Sequence, residues 1–468
     1  MINKDIVNMA KKITDNVEKI ANVEDVSSST VTDLLELYYM TARGYYLINN
    51  YEESIIHYQK YESAYDRYDF DKIEELQSVL VDMVACYAIL QRFDEALVSH
   101  NRLTAMSFDV SSLEAVGIVD YYLDVSNIYR NFSQFDKAFA YLEQIHKILN
   151  QNANIEAIVW GNYYGHLGST YLSMGQYELA LKHYKRSEAI FEKKLSPNNP
   201  TIAELYKEMA EAYLKLDQPA VSLQYLKREL LAREKRIPPK YDKLFSVCKE
   251  IADLYNDLEK PQNAIKYYER CLDIHKKQLP LQNPDLADLY LSIATCYHDT
   301  EQYKLALPYY NKCHAIYKQI LADKDPQLAE LYLNMGDLHS SLSSYSLAQK
   351  CYQNCLAIWE QVLPPQHPDL AVVYMNIGNT YFESAKNDLA LSYYERAQVI
   401  MEQKPSLNKD DLPMLCFYMA QVYAQKKQYP EAQIYLNKAI SLFQQSLPPK
   451  DSFWEEIFEL QQGIQQKL

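Results

Sequence analysis

The stretch Gly161–Pro200, GNYYGHLGSTYLSMGQYELALKHYKRSEAIFEKKLSPNNP, decides the fold. Tyr164, Leu167, Gly168 and Tyr171 fall three, one and three residues apart, which is one face of an α-helix. Gly175 and Gln176 interrupt that helix. Tyr177, Ala180, Tyr184 and Ser187 then fall on one face of a second helix. Small residues at Gly168 and Ala180 predict that the two helices cross closely there, with Tyr171 filling the space beside them. The second helix is expected to stop before Pro197 and Pro200, because the residue preceding a proline disfavours the helical region.

The same unit recurs along the chain. A small residue returns every 42 positions ten times, at Ser54, Ala96, Ala138, Ala180, Ser222, Ala264, Ala306, Ala348, Ala390 and Ala432. A ring stands nine residues before each: Tyr45, Tyr87, Tyr129, Tyr171, Tyr213, Tyr255, Tyr297, His339, Tyr381 and Tyr423. A register this strict marks one supersecondary unit stacked on itself, burying its core between neighbours. The copies start near 35, 77, 119, 161, 203, 245, 287, 329, 371 and 413. Later junctions repeat a proline stop: LPLQNPD at 279–285, LADKDPQ at 321–327 and LPPQHPD at 363–369. The reading is therefore a repeat array over 35–451, preceded by an N-terminal segment, 1–34, and followed by a capping helix, 452–468. Within the first segment, Ile6, Ile13 and Ile20 are seven apart and suggest an amphipathic helix over Met1–Ala21, followed by a polar break at Ser27–Thr30.

Composition narrows the function. With 468 residues, 48% hydrophobic residues, 43 tyrosines and only nine glycines, the chain suits long helices and short turns. A formal charge of −15 argues against nucleic-acid binding, which depends on basic neutralisation. No window reaches the roughly 18 apolar residues of a membrane span, and Met1–Lys12 lacks the apolar core of a secretory signal. The eight cysteines show no framework spacing. A cytoplasmic protein with reduced thiols is the expectation. Cys271, Cys313 and Cys355 recur 42 apart in separate hairpins, so they read as small buried hydrophobes rather than metal ligands. No paired-histidine metal motif, phosphate loop or nucleophile elbow is present, so neither an enzyme nor a cofactor is expected.

The order Leu/Gly/Tyr, then Ala, then Tyr on paired helices resembles the tetratricopeptide repeat. Eight extra residues per copy and the junction LPPQHPDLA at Leu363–Ala371 resemble the longer subtype of kinesin light chains. The resemblance covers roughly Leu35–Asp451. It implies an all-α, right-handed superhelical solenoid of about ten helix-turn-helix repeats with terminal capping helices. Its first helices would line a concave groove that takes a peptide or a partner helix. The chain departs from kinesin light chain in lacking a long heptad segment, so motor attachment does not carry over.

If Tyr164-type positions face the core, the opposite face of each first helix meets the groove. In repeats five to eight that face carries Glu204, Glu208, Glu211, Glu250, Asp253, Asp257, Asp288, Asp299, Glu330 and Asp337, against Lys207, Lys215 and Lys249. Aligned acids in a concavity favour a basic ligand. The alternative is an ordinary solvated helix face. The resemblance also implies an asparagine two residues before the small residue of the first helix, contacting a peptide backbone. Asn334 and Asn376 stand there, with Asn379 and Asn127 one turn along the equivalent face, while Glu208, Glu250 and Ser292 interrupt the ladder. The candidate groove residues are Asn127, Arg130, Lys207, Glu211, Lys249, Asp253, Asn334, Asp337, Asn376 and Asn379. Near Asn376, the residues Met375, Phe382, Met414, Phe417 and Tyr418 would either grip an apolar helix or pack against the terminal helix. Lys207 precedes Glu211 and Lys249 precedes Asp253, so the lysine–asparagine clamp of co-chaperones is not supported. The expected function is a non-enzymatic interaction scaffold or adaptor. A peptide-responsive regulatory sensor and an accessory module for a separate enzyme remain open.

Overall fold

A computed structural model describes residues 28–68, 73–106, 114–236, 239–278, 284–403, 411–446 and 453–467. Among the described residues every regular element is helical. The chain divides into two compact units, Met1–Pro239 and Lys240–Leu468. The first unit holds hairpins one to five, pairing Ser28–Leu47 with Tyr51–Arg67, Ile73–Ile89 with Phe93–Ala105, Ala115–Asn131 with Phe135–Gln151, Ala157–Ser173 with Tyr177–Lys194, and Pro200–Lys215 with Pro219–Glu234. Hairpins six to ten of the second unit pair Tyr241–Asp257 with Pro261–Gln278, Pro284–Asp299 with Tyr303–Ile320, Pro326–Ser341 with Tyr345–Val362, Pro368–Glu383 with Asn387–Gln403, and Asp411–Gln425 with Tyr429–Ser446. The opening helix starts at Ser28, so its first turns occupy residues expected to form a polar break. The segment Met1–Ala21 lies outside the described residues.

Every hairpin turns in the same way. One residue per hairpin has a positive φ, at Asn49, Gln91, Ser133, Gly175, Asp217, Glu259, Glu301, Ser343, Ala385 and Lys427. The next amide donates back to the carbonyl of the ring residue five positions earlier, as Gln176 N does to Tyr171 O at 2.9 Å and Lys386 N to Tyr381 O at 2.9 Å. That bond closes the helix C-terminus and satisfies carbonyls that would otherwise be orphaned. The proline junctions work from the other side: Asn199 and Asp325 cap the following helix by accepting from Thr201 N and Gln327 N, each at 2.9 Å, and Pro200 and Pro326 occupy the first helical position.

The small residues pack as expected but not with the expected tyrosine. A Cβ on Gly168 would lie 2.5 Å from the ring of Tyr184, and Gly336 and Gly378 meet Tyr352 and Tyr394 in the same way at 2.4 Å. Tyr171 instead stacks on His183, with centroids 5.4 Å apart and planes 7° from parallel. The ring twelve residues later provides the partner in hairpin after hairpin, for example Tyr213 on Tyr225 at 5.4 Å and Tyr423 on Tyr435 at 5.4 Å. Such stacks add to the burial of the rings and account for the high tyrosine content. The terminal helix Phe453–Gln465 covers the last hairpin, with Ile457 and Ile464 buried and Phe453 set 5.0 Å from Phe417.

Candidate functional site

Within each unit successive first helices from the second hairpin of that unit onward touch one another, whereas second helices mainly meet their own partner and the following first helix. First helices therefore line the inner side. Two phases of that side matter: the residue two before the small position of the first helix, and the residue just after it. In the first unit the former phase reads Met40, Asp82, Asp124, His166 and Glu208, and the latter Arg43, Ala85, Asn127, Ser169 and Glu211. In the second unit they read Glu250, Ser292, Asn334, Asn376 and Tyr418, and Asp253, Thr295, Asp337, Asn379 and Gln421.

Ionisable groups dominate the first unit. Asp82 accepts a hydrogen bond from Tyr58 at 2.7 Å. Ser169 donates to Glu208 at 2.8 Å, and Arg130 and Asn131 both donate to Asn127 Oδ1. Burial raises the Asp82 carboxyl, against the Tyr58 bond and the Arg43 charge. Burial also raises Asp124 well above the usual carboxylate range, and the like charge of Asp120 adds to it. Glu208 is raised by burial despite the Arg130 charge and the Ser169 bond. Burial and then Arg130 push His166 down to about 3, and its Nδ1 has no hydrogen-bond partner. Burial thus disfavours the charged form of the three carboxyls, whereas at His166 burial and the Arg130 charge disfavour the imidazolium. Lys207 stands 3.9 Å from Glu204, which also pairs with Arg233 at 3.0 Å, while Glu211 is exposed.

Bonds from tyrosine hydroxyls to Asp and Asn side chains organise the second unit. Tyr268 donates to Asp253 at 2.6 Å, Tyr317 to Asp288 at 2.6 Å and Tyr394 to Asn379 at 2.6 Å. Asp337 accepts from Tyr352 at 2.7 Å and from Asn376 Nδ2 at 3.1 Å, across two hairpins. Burial raises the Asp337 carboxyl although the Tyr352 bond and the His298 charge oppose it. Asn334 and Lys249 are half-buried, and the Asn334 amide makes no hydrogen bond. Of the ten acids read from the sequence, Asp253, Asp288 and Asp337 thus serve buried tyrosines and Glu204 serves Arg233, so these four belong to the framework. Met375 is buried and Phe417 packs on the terminal helix, which makes that end part of the core.

The ten candidates fall in both units: Asn127, Arg130, Lys207 and Glu211 in the first, and Lys249, Asp253, Asn334, Asp337, Asn376 and Asn379 in the second. Asp82, Asp124 and His166 were not among them. Stepping back from Asn334 in units of 42 would have reached all three, since they hold its phase in hairpins two to four. The cysteines are all free thiols, seven of them buried. Among the described residues no group of His, Cys, Asp or Glu could hold a metal, and no helix is long and apolar enough to cross a membrane.

The tetratricopeptide repeat matches residues 161–235, 246–319, 327–403 and 415–446, more than half of the chain. The chain belongs to the tetratricopeptide-repeat family. No curated protein sequence matches it. Among solved structures, the apo form of RapI is similar over 79% of this chain and 98% of its own, at 13% identity and a TM-score of 0.52, a likeness of fold. BtubC (BKLC) from P. vanneervenii is 19% identical over 50% of this chain and 89% of its own, with a TM-score of 0.39. The nearly identical TPR-like repeats of a Podosopora anserina kinesin light chain-type protein are 20% identical over 43% of this repeat protein and 96% of their own length, with a TM-score of 0.36.

Proposed function

We propose that this tetratricopeptide-repeat protein is a non-enzymatic, cytoplasmic interaction scaffold that holds a peptide or helical segment of a partner protein along the inner faces of its first helices. The observation that carries the reading is the constant phase of those faces. It sets polar side chains with spare hydrogen-bonding capacity, such as Asn334 and the outer lone pairs of Asn376 and Asn379, on rigid helices at each successive hairpin. Undercompensated carboxyls at Asp82, Asp124 and Glu208 support a ligand with basic character on the first unit. A random heptapeptide library displayed against the full chain tests the proposal. Peptides should be enriched, and the double variant Asn334→Ala/Asn376→Ala should lose most of them. A library that enriches nothing, or peptides that bind the double variant unchanged, would remove the groove reading.

A further inference from the structure

Six second helices carry a tyrosine four residues past their buried small residue: Tyr58, Tyr184, Tyr268, Tyr310, Tyr352 and Tyr394. All six rings are excluded from solvent. A buried phenolic hydroxyl without a partner is costly, and four of the six solve this by donating to the inner face, Tyr58 to Asp82, Tyr268 to Asp253, Tyr352 to Asp337 and Tyr394 to Asn379. Tyr184 forms no such bond, yet Ser169 and Glu208, which bond each other at 2.8 Å, stand beside it.

Tyr310 differs. It is 0% exposed and its hydroxyl has no partner. The residue at the acceptor phase of its hairpin is Thr295, whose hydroxyl donates to the carbonyls of Leu291 and Ser292 in its own helix, at 3.2 and 3.0 Å. One hairpin on, Asn334 holds the phase from which Asn376 reaches Asp337, and its amide is unbonded. Hairpin eight shows the complete rung: Tyr352 and Asn376 converge on the single carboxylate of Asp337. The rung at hairpin seven keeps both donors, Tyr310 and, one hairpin on, Asn334, and among the described residues no side chain accepts from Tyr310.

We infer that a bound peptide completes this rung, its backbone carbonyl taking the place that Asp337 fills one hairpin later and accepting from Tyr310 and Asn334 together. This deepens the groove reading and rests on it. The acceptor is a neutral carbonyl rather than a carboxylate, because Asp299 and Asp337 already lie near the Tyr310 hydroxyl and a further anion would be repelled. The Tyr310 oxygen is covered, so the inference requires a neighbouring side chain to turn aside, and Asn334, half-buried and one hairpin on, is the one the repeat places there.

The probe is a heptapeptide enriched on the full chain, resynthesised with each backbone amide replaced in turn by an ester, which weakens the carbonyl as an acceptor. Tyr310→Phe should weaken the parent peptide about fivefold, the worth of one hydrogen bond, and raise the melting temperature of the free protein slightly, because the buried hydroxyl it removes has no partner there. Thr295→Asn builds the missing acceptor in neutral form, as Asn379 does for Tyr394, so it should raise the melting temperature and displace the peptide. One ester should weaken binding to the native chain, and weaken it less in Tyr310→Phe, where only Asn334 still donates to that carbonyl. Equal binding by the native chain, Tyr310→Phe and Thr295→Asn would overturn the inference while leaving the groove reading intact. Failure to enrich any peptide would sink the groove reading itself.

Discussion

Replacing Gly336 by valine tests the packing register most sharply. A Cβ at this position would lie 2.4 Å from Tyr352 Cε1 and 2.6 Å from Cδ1, so the ring must retreat by about 1 Å to reach ordinary contact. It has little room, being buried and tied through its hydroxyl to Asp337 at 2.7 Å. Overpacking of this kind costs about 1–3 kcal/mol, and losing the hydroxyl bond adds about 1 kcal/mol. The better helix propensity of valine over glycine returns only a few tenths of a kcal/mol. The net expectation is a loss of roughly 2–3 kcal/mol, read as a lower urea midpoint. Tyr352→Leu should recover part of it, because leucine already stands at this phase beside Ala210 and Ala420, as Leu226 and Leu436. The double-mutant coupling should exceed about 1 kcal/mol. Amide exchange should quicken first in hairpin eight, as a near-neighbour array requires. A Gly336→Val protein as stable as the parent, or a loss that Tyr352→Leu leaves untouched, would refute the assigned contact.

Other perturbations follow from single sites. Ala385 has a φ of 56°, so Ala385→Gly should stabilise the ninth turn by up to about 1 kcal/mol in thermal denaturation, and Gly175→Ala should do the reverse. His275 is buried with neither ring nitrogen bonded, and burial lowers its pKa from the usual 6.5. The folded state therefore binds fewer protons than the unfolded chain, and stability should fall as pH drops below about 6.5. His275→Leu should flatten that part of the midpoint-against-pH curve. Arg228 lies 2.6 Å from Glu188, also pairs with Glu192, and sits over the Tyr206 ring at 4.2 Å, so Arg228→Lys should cost about 0.5–1 kcal/mol in urea denaturation through loss of the two-carboxylate fork and the ring contact.

The repeat phase was legible in the residues because a small side chain at a helix crossing tolerates no substitute of ordinary size, as at Ala180 and Ala306. The turns were only partly legible. Gly175 announces its positive φ, but the other nine turns place Asn, Gln, Ser, Asp, Glu, Ala or Lys in the same conformation, since the array enforces it regardless of local preference. The place beside Gly168 expected for Tyr171 is taken by Tyr184, because both lie on apolar faces and periodicity cannot say which ring crosses the glycine. The groove acids were read as one field. Spacing along a helix cannot show that Asp253, Asp288 and Asp337 spend a lone pair on tyrosines of the paired helices.

Photo-crosslinking of an enriched peptide gives the most direct test that the inner faces bind. A benzophenone side chain would be placed at Asn334 or Asn376 on the inner face, and at Leu347, which is 50% exposed on a second helix. The account predicts crosslinks from the first two positions and none from Leu347. Labelling from Leu347, with Asn334 and Asn376 silent, would contradict it.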